Sequence, residues 1–119
     1  MNVEHLEQAH LIHWWDTIAK ANGIQECLLF AIPNGGYRTK RTGAMLKAEG
    51  MRAGVPDLFL AVPRGGFGGL FIEMKRPVGG RLSPAQKAFH RVLEGSYAVE
   101  VCKGFQEAVE AIQKYLSLK

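Results

Sequence analysis

The chain has 119 residues, 47% of them hydrophobic and 22% charged, a composition ordinary for one globular domain over residues 1–119. No apolar stretch approaches the roughly 20 residues that span a bilayer, and the N-terminus lacks the cationic and apolar regions of a signal peptide. The net charge of +4 at pH 7 favours a polyanionic partner without specifying one.

The cysteines and histidines argue against disulfide-rich and zinc-binding domains. Cys27 and Cys102 lie in apolar segments, without the neighbours that a disulfide framework or a zinc site requires. We therefore expect two buried thiols in a reducing, cytoplasmic compartment. His5, His10 and His13 are close in sequence, but no further ligand stands at zinc-finger spacing, so they predict no zinc site.

The first half of the chain predicts helix, strand, turn and helix. Residues 4–21 carry too many apolar side chains for one helical stripe, so we expect this helix to bury two faces. Residues 27–32 form a short apolar run typical of a strand, and 33–36 read as a turn. Residues 39–49 then predict a basic helix that ends at a glycine.

The second half supplies the rest of the predicted sheet. Residues 57–62 and 70–75 predict two strands joined by a glycine-rich connection, which lacks the Gly-Lys-Ser/Thr sequence of a P-loop. Ser83-Pro84 begins a helix in the favoured way, with Ser as N-cap and Pro at the first helical position. A fourth strand at 97–101 and a helix after Gly104 follow. The order α-β-α-β-β-α-β-α predicts an α/β (mixed α+β) domain, a mixed sheet of about four strands with helices on both faces.

Positive charge is concentrated in the central third of the chain, whereas the acids lie mainly near the two ends. This distribution favours a surface that follows a phosphate backbone, although a basic segment is as often a solvated face. Asn34 precedes the segment in a turn that could cradle phosphate or be an ordinary turn. The candidate phosphate-contacting side chains are Arg38, Lys40, Arg41, Lys47, Arg52, Arg76 and Arg81.

Two carboxylates and an ammonium group stand at the ends of the two central strands. Asp57 opens one strand, and Glu73 and Lys75 close the next. A strand ladder can bring Asp57 and Glu73 side by side, and the period of two puts Glu73 and Lys75 on one face. The carboxylate oxygens of Asp57 and Glu73, with the Met74 carbonyl, suit Mg²⁺ or, as a substitute, Mn²⁺. A cation held in this way could support phosphodiester hydrolysis. The alternative is a turn aspartate after Pro56 and a solvated surface pair.

Three motifs resemble the VRR-NUC family of the PD-(D/E)xK, restriction-endonuclease-like superfamily. They are Gly54-Val55-Pro56-Asp57-Leu58, Ile72-Glu73-Met74-Lys75-Arg76 and Arg81-Leu82-Ser83-Pro84-Ala85-Gln86. The segment 31–36 and the basic helix after it resemble compact, phage-type members. The similarity runs nearly from end to end of the chain.

The resemblance implies a divalent-metal-dependent nuclease acting on DNA, often branched or flap DNA. It makes Asp57 and Glu73 metal ligands, Lys75 the catalytic lysine and Gln86 a residue that orients Lys75 or contacts phosphate. The family's helical glutamate matches Glu7, with Glu4 as the alternative.

The resemblance to compact members, which are similar to homodimers that cut four-way (Holliday) junctions, implies a homodimer acting on such DNA. Trp14 and Trp15 on the first helix are compatible with a dimer interface or with the core. The remaining alternatives are a flap or single-strand nuclease, a non-catalytic module that binds branched DNA, and an interaction subunit.

Overall fold

A computed structural model describes residues 3–33 and 42–119 and places four strands in one mixed sheet, in the order β1-β2-β3-β4. The strands are β1 (Leu29–Ala31), β2 (Leu58–Leu60), β3 (Leu70–Lys75) and β4 (Ala98–Lys103). The helices in the described ranges are α1 (Val3–Ala19), α2 (Gly43–Ala48), α3 (Pro84–Leu93) and α4 (Phe105–Leu116). None of these helices is long and apolar enough to cross a membrane.

The sheet changes from antiparallel to parallel pairing at β3. β1 pairs antiparallel with β2, β2 pairs antiparallel with β3, and β3 pairs parallel with β4. A tight turn at Gly65 and Gly66, with φ values of 58° and 85°, closes the connection between β2 and β3. The parallel pair needs a crossover, which α3 provides. The predicted mixed four-stranded sheet is confirmed.

The core lies on one face of this sheet, beneath α1 and α4. Leu70, Ile72 and Met74 alternate along β3 and are at most 1% exposed, so they face the same side. α1 adds Leu11 and Trp15, and α4 adds its own buried face. Each such large side chain stabilises the fold by about 1.5–3 kcal/mol on burial. The intervening residues of β3, Phe71, Glu73 and Lys75, point to the opposite face.

The broad apolar surface of α1 is used mainly within the chain. Trp15 is fully buried, and its indole N–H donates to the carbonyl of Glu26 at 2.9 Å. Trp14 and Ile18 are half-buried against the same core, so the helix packs on both the sheet and α4. α1 therefore buries two faces, as expected, and both contacts are made within the same chain. Only the first turn leaves large apolar side chains in water, with Leu6 50% exposed.

Several predicted boundaries shift for local reasons. The predicted strand 27–32 is shortened to β1, because Glu26–Leu28 forms a turn of 3-10 helix. Cys27 lies in that turn and is exposed, so the prediction of a buried thiol is wrong there, whereas Cys102 is buried as predicted. α2 begins after Thr42, whose side-chain oxygen accepts the N–H of Met45. The first part of the predicted basic helix lies outside the described residues.

Candidate active site

Pairing of β2 with β3 brings the two predicted carboxylates together. Leu58 lies opposite Ile72 in the register, so the preceding Asp57 lies opposite Glu73. The carboxylate of Asp57 extends along β3, where its Oδ2 accepts the Met74 N–H at 2.7 Å. Because the N–H and C=O of one strand residue point to the same side, the Met74 carbonyl also faces Asp57. Two carboxylates and one carbonyl therefore lie together at the start of β2.

Glu73 is a carboxyl group taken out of water. It is 2% exposed and lies on the face of β3 opposite the apolar core. Burial is the main cause that raises the pKa of Glu73 to about 9, and the hydrogen bond and negative charge of Asp57 add to it. The metal-free site therefore holds a proton on Glu73 at neutral pH. Replacing that proton by a cation would relieve the repulsion between the two carboxylates.

Lys75 shares the face of Glu73, two residues further along β3, and is half-buried. Its positive charge lowers the pKa of Glu73, against the larger effect of burial. The predicted triad of Asp57, Glu73 and Lys75 is thus gathered at one end of the β2–β3 pair. Gly80 and the loop after β3 pack closely on Lys75: a Cβ atom on Gly80 would lie 2.9 Å from the Lys75 Cβ.

Gln86 is placed by the first turn of α3. Ser83 caps the helix, its Oγ accepting the Gln86 N–H at 3.1 Å while its own N–H donates to Gln86 Oε1 at 2.8 Å. The amide Nε2 of Gln86 then lies 3.3 Å from Glu73 Oε2. Orientation of Lys75 or a phosphate contact was expected of Gln86, whereas its amide reaches the carboxylate of Glu73.

His90 is a site residue that the sequence analysis did not identify. It is 6% exposed, and its Nε2 lies 3.2 Å from Glu73 Oε1. Burial lowers the pKa of His90 and favours the neutral ring. The signal available in the sequence was the spacing of four residues from Gln86, which places both side chains on one face of α3.

The loop that carries Asp57 is fixed against α3 by a close backbone contact. Gly54 has φ of +87°, and a Cβ atom there would lie 2.3 Å from the Ala85 carbonyl oxygen and 2.9 Å from the Gln86 nitrogen. Only glycine tolerates both the backbone conformation and the approach. Gly54 therefore couples the position of Asp57 to that of Gln86.

The two helical glutamates have different surroundings. Glu7 Oε1 accepts the N–H of Phe105 at 2.9 Å, which caps α4 where Gly104 has no side chain to do so. Glu4, one turn earlier, is an acid whose charge adds to the raised pKa of Glu73. Glu7 was expected as the helical ligand, but the structure gives it a capping contact and places the electrostatic influence on the site with Glu4.

The basic candidates divide between described and undescribed residues. Lys47 on α2, Arg52 before the Gly54 loop, and Arg76 and Arg81 in the loop after β3 are all exposed. They flank in sequence the segments that carry the carboxylates. Asn34, Arg38, Lys40 and Arg41 lie outside the described residues.

The donor set fits a hard divalent cation. Among the described residues no three His, Cys, Asp or Glu side chains come close enough to hold a metal. Asp57 and Glu73 therefore supply at most two carboxylates, with the Met74 carbonyl beside them. Mg²⁺ uses one or two protein carboxylates and fills its remaining positions with water and phosphate oxygens, so this set suits it. Zn²⁺ in a structural site would require four protein ligands.

Comparison with known proteins gives a family and a fold. The family model described as VRR-NUC domain matches residues 7–106. A solved structure of a VRR_NUC domain protein has a TM-score of 0.80 and 27% identity, and the alignment covers 99% of this chain and 91% of that chain. No curated protein matches the chain.

Proposed function

This chain belongs to the VRR-NUC family of DNA nuclease domains, and from that premise we propose that it is a Mg²⁺-dependent endonuclease that hydrolyses phosphodiester bonds in branched DNA. The observation that carries the proposal is the opposition of Asp57 and Glu73 across β2 and β3. A protein that only bound DNA would gain nothing from two adjacent carboxylates facing phosphate. Burial, with the neighbouring Asp57 adding to it, raises the pKa of Glu73 to about 9, so an ionised Glu73 is costly here without a counter-charge.

Asp57, Glu73 and the carbonyl of Met74 would hold the cation. When bound, Mg²⁺ supplies charge neutralisation at the phosphate and makes water a better nucleophile. Glu73 must give up its proton for this, and the neighbouring Lys75 charge favours the deprotonated form. The Met74 N–H keeps Asp57 turned toward β3 while both carboxylates serve as ligands.

Lys75 would stabilise charge that develops on the phosphate. Its ammonium group is on the same face as Glu73 and comes from the same rigid strand, so its position requires little reorganisation. It could also orient the attacking water. In either role its loss should lower the rate of cleavage more than the affinity for DNA.

Exposed basic side chains would hold the DNA backbone beside these groups. Lys47, Arg52, Arg76 and Arg81 are exposed and available to phosphate. The preference for four-way (Holliday) junctions and a homodimeric state rest on the resemblance of residues 31–36 and the following basic segment to compact family members.

A direct test presents the purified chain with a labelled four-way junction, a flap, a single strand and a linear duplex, each with Mg²⁺ or with EDTA. We expect Mg²⁺-dependent cleavage that is strongest on the junction. Stronger cleavage of the flap or single strand would establish the alternative substrate class. Salt-sensitive binding of the junction without cleavage would instead identify a binding module.

A further inference from the structure

We propose that His90 and Gln86 act together as a clamp that sets the orientation of the Glu73 carboxylate for metal binding, with His90 as a positioning residue. We call this pair the α3 clamp. The inference rests on the proposed function, since it assigns a task toward the metal site. It adds to the three motifs a residue that lies outside all of them.

Each member of the α3 clamp reaches a different oxygen of the same carboxyl group. Gln86 Nε2 is 3.3 Å from Oε2, and His90 Nε2 is 3.2 Å from Oε1. The two residues are four apart on α3, so one helical face presents both nitrogens. Two contacts on two oxygens fix the plane of a carboxylate, whereas one contact would leave it free to rotate.

The capping box decides which atom of Gln86 faces Glu73. The Ser83 N–H donates to Gln86 Oε1 at 2.8 Å, so that oxygen is held as an acceptor and the NH₂ group must point the other way. The amide therefore donates to Glu73. A carboxylate ligand needs the same from His90, namely a proton on Nε2 and an N–H directed at Oε1.

Burial makes these contacts hard to replace. Glu73 is 2% exposed and His90 is 6% exposed, so bulk water does not supply these hydrogen bonds in the native chain. Each carboxylate oxygen has two lone-pair directions, so one hydrogen bond to each still leaves a direction open for a cation. Outer contacts of this kind commonly change metal affinity by about tenfold to a hundredfold.

The competing explanation is that His90 only fills space beside a buried acid. The two explanations differ in whether the position of the donor matters. A glutamine at position 90 can place its amide nitrogen near the position of the imidazole Nε2, whereas an asparagine is one methylene too short. His90→Gln and His90→Asn are therefore matched variants that both bury an amide but differ in reach.

The test is Mn²⁺ binding by the full chain, measured by electron paramagnetic resonance without DNA or cleavage. We expect His90→Gln to stay near wild-type affinity and His90→Asn to raise the Kd by about tenfold or more. His13→Gln, at an exposed histidine of α1, is the control and should change nothing. Equal affinities for His90→Gln and His90→Asn would overturn the clamp.

A measurement on the unmodified protein guards against variants that fail to fold. In the Mg²⁺-loaded chain, ¹⁵N NMR should show the proton of His90 on Nε2. A proton on Nδ1 with a bare Nε2 would overturn the inference, because a bare nitrogen cannot donate to a carboxylate. If the wild-type chain binds no Mn²⁺ at all, the proposed function fails first, and the clamp falls with it.

Discussion

The fold buries the carboxyl group of Glu73, a side chain that is ordinarily ionised and exposed to water. This carboxyl group is 2% exposed and lies beside Asp57, and burial raises its pKa to about 9, so it keeps its proton at neutral pH. The fold tolerates this because Gln86 and His90 satisfy both oxygens. A residue so placed is costly for folding alone and useful for binding a cation.

The stability of the metal-free chain should therefore fall as pH rises. Between the ordinary pKa of 4.5 and about 9, native Glu73 holds a proton that the unfolded chain has released. Unfolding releases that proton, so the free energy of unfolding decreases with pH, by at most about 1.4 kcal/mol per pH unit. Native His90, with its lowered pKa, acts in the opposite direction only below its ordinary value of 6.5.

Urea unfolding of wild type and Glu73→Gln at about pH 7 and about pH 8.5 isolates the contribution of Glu73, because His90 is mostly neutral there and the buried Cys102 thiol, with its pKa raised to about 12, affects both chains alike. Wild type should lose stability across this interval in EDTA, and Glu73→Gln should lose much less. A wild-type stability that rises across the interval would show that Glu73 is ionised in the native chain. Added Mg²⁺ should reduce the loss, since the cation takes the place of the proton.

Replacing Glu7 and replacing Glu4 should affect different properties, stability in the first case and the response to Mg²⁺ in the second. Glu7→Ala removes the acceptor for the Phe105 N–H and should cost about 1 kcal/mol of stability, as the loss of a helix cap does. Glu4→Gln should leave the fold intact and raise the Mg²⁺ concentration for half-maximal cleavage by up to about tenfold, or about 1.4 kcal/mol.

Thermal unfolding and a Mg²⁺ titration of the cleavage rate measure the two effects on the same samples. If Glu7→Ala weakened the response to Mg²⁺ and Glu4→Gln did not, Glu7 and not Glu4 would be the glutamate that acts on the metal site.

At the scale of elements, the site depends on three segments meeting: the start of β2, the end of β3 and the first turns of α3. The contact between Gly54 and Ala85 fastens the first of these to the third. Gly54→Ala should therefore cost about 2 kcal/mol or more, from the positive φ and from the displaced helix. It should also weaken Mn²⁺ binding, because Asp57 and Gln86 would no longer be held together.

Gly50→Ala is a matched control for Gly54→Ala. Gly50 also has a positive φ, +104°, but an added Cβ atom would meet nothing within 4 Å. The Gly50→Ala variant should lose stability only because of the strained backbone conformation, and it should keep its Mn²⁺ affinity. Calorimetry and Mn²⁺ titration distinguish the two variants, and equal losses of affinity would refute the coupling.

The elements that could be predicted from sequence were those with strong local signals. β3 was predicted with its observed bounds because an apolar run ends in charges, and α3 because Ser83-Pro84 is a strong helix start. The start of the first strand could not be predicted, since the turn of 3-10 helix at Glu26–Leu28 has no distinct pattern. Such turns depend on tertiary contacts, here the bond from Trp15 to Glu26.

The members of the site were predictable to different degrees. Asp57 and Glu73 follow from the strand pattern, because register and alternation determine where they lie. The spacing of four residues places His90 on the Gln86 face of α3, but no local pattern shows that this face meets Glu73. The capping contact of Glu7 with Phe105 joins residues 98 apart, which no local pattern reveals.

At the scale of the whole molecule, charge is divided between surfaces. Exposed arginines and a lysine flank the segments that carry Asp57 and Glu73, while β4 and α4 carry Glu100, Glu107 and Glu110 along their shared groove. An anionic ligand should therefore approach from the side of the site and avoid the groove.

DNA binding should show this division in its salt dependence. Neutralising Arg76 or Arg81 with Gln should reduce the slope of log K against log salt concentration by about 1 for each phosphate that the side chain no longer neutralises. Lys114→Gln, on α4 beside the acidic groove, should leave the slope unchanged. Fluorescence anisotropy with a labelled junction in Ca²⁺ measures all three, and a uniform effect would argue against an oriented binding surface.

If Asp57, Glu73 and Lys75 form one catalytic site, single-turnover cleavage of a four-way junction in Mg²⁺ requires all three side chains. Asp57→Ala, Glu73→Ala and Lys75→Ala should each abolish cleavage while the affinity for the junction, measured on the same preparations, stays near that of the wild type. Full cleavage by any one of the three variants would contradict the claim.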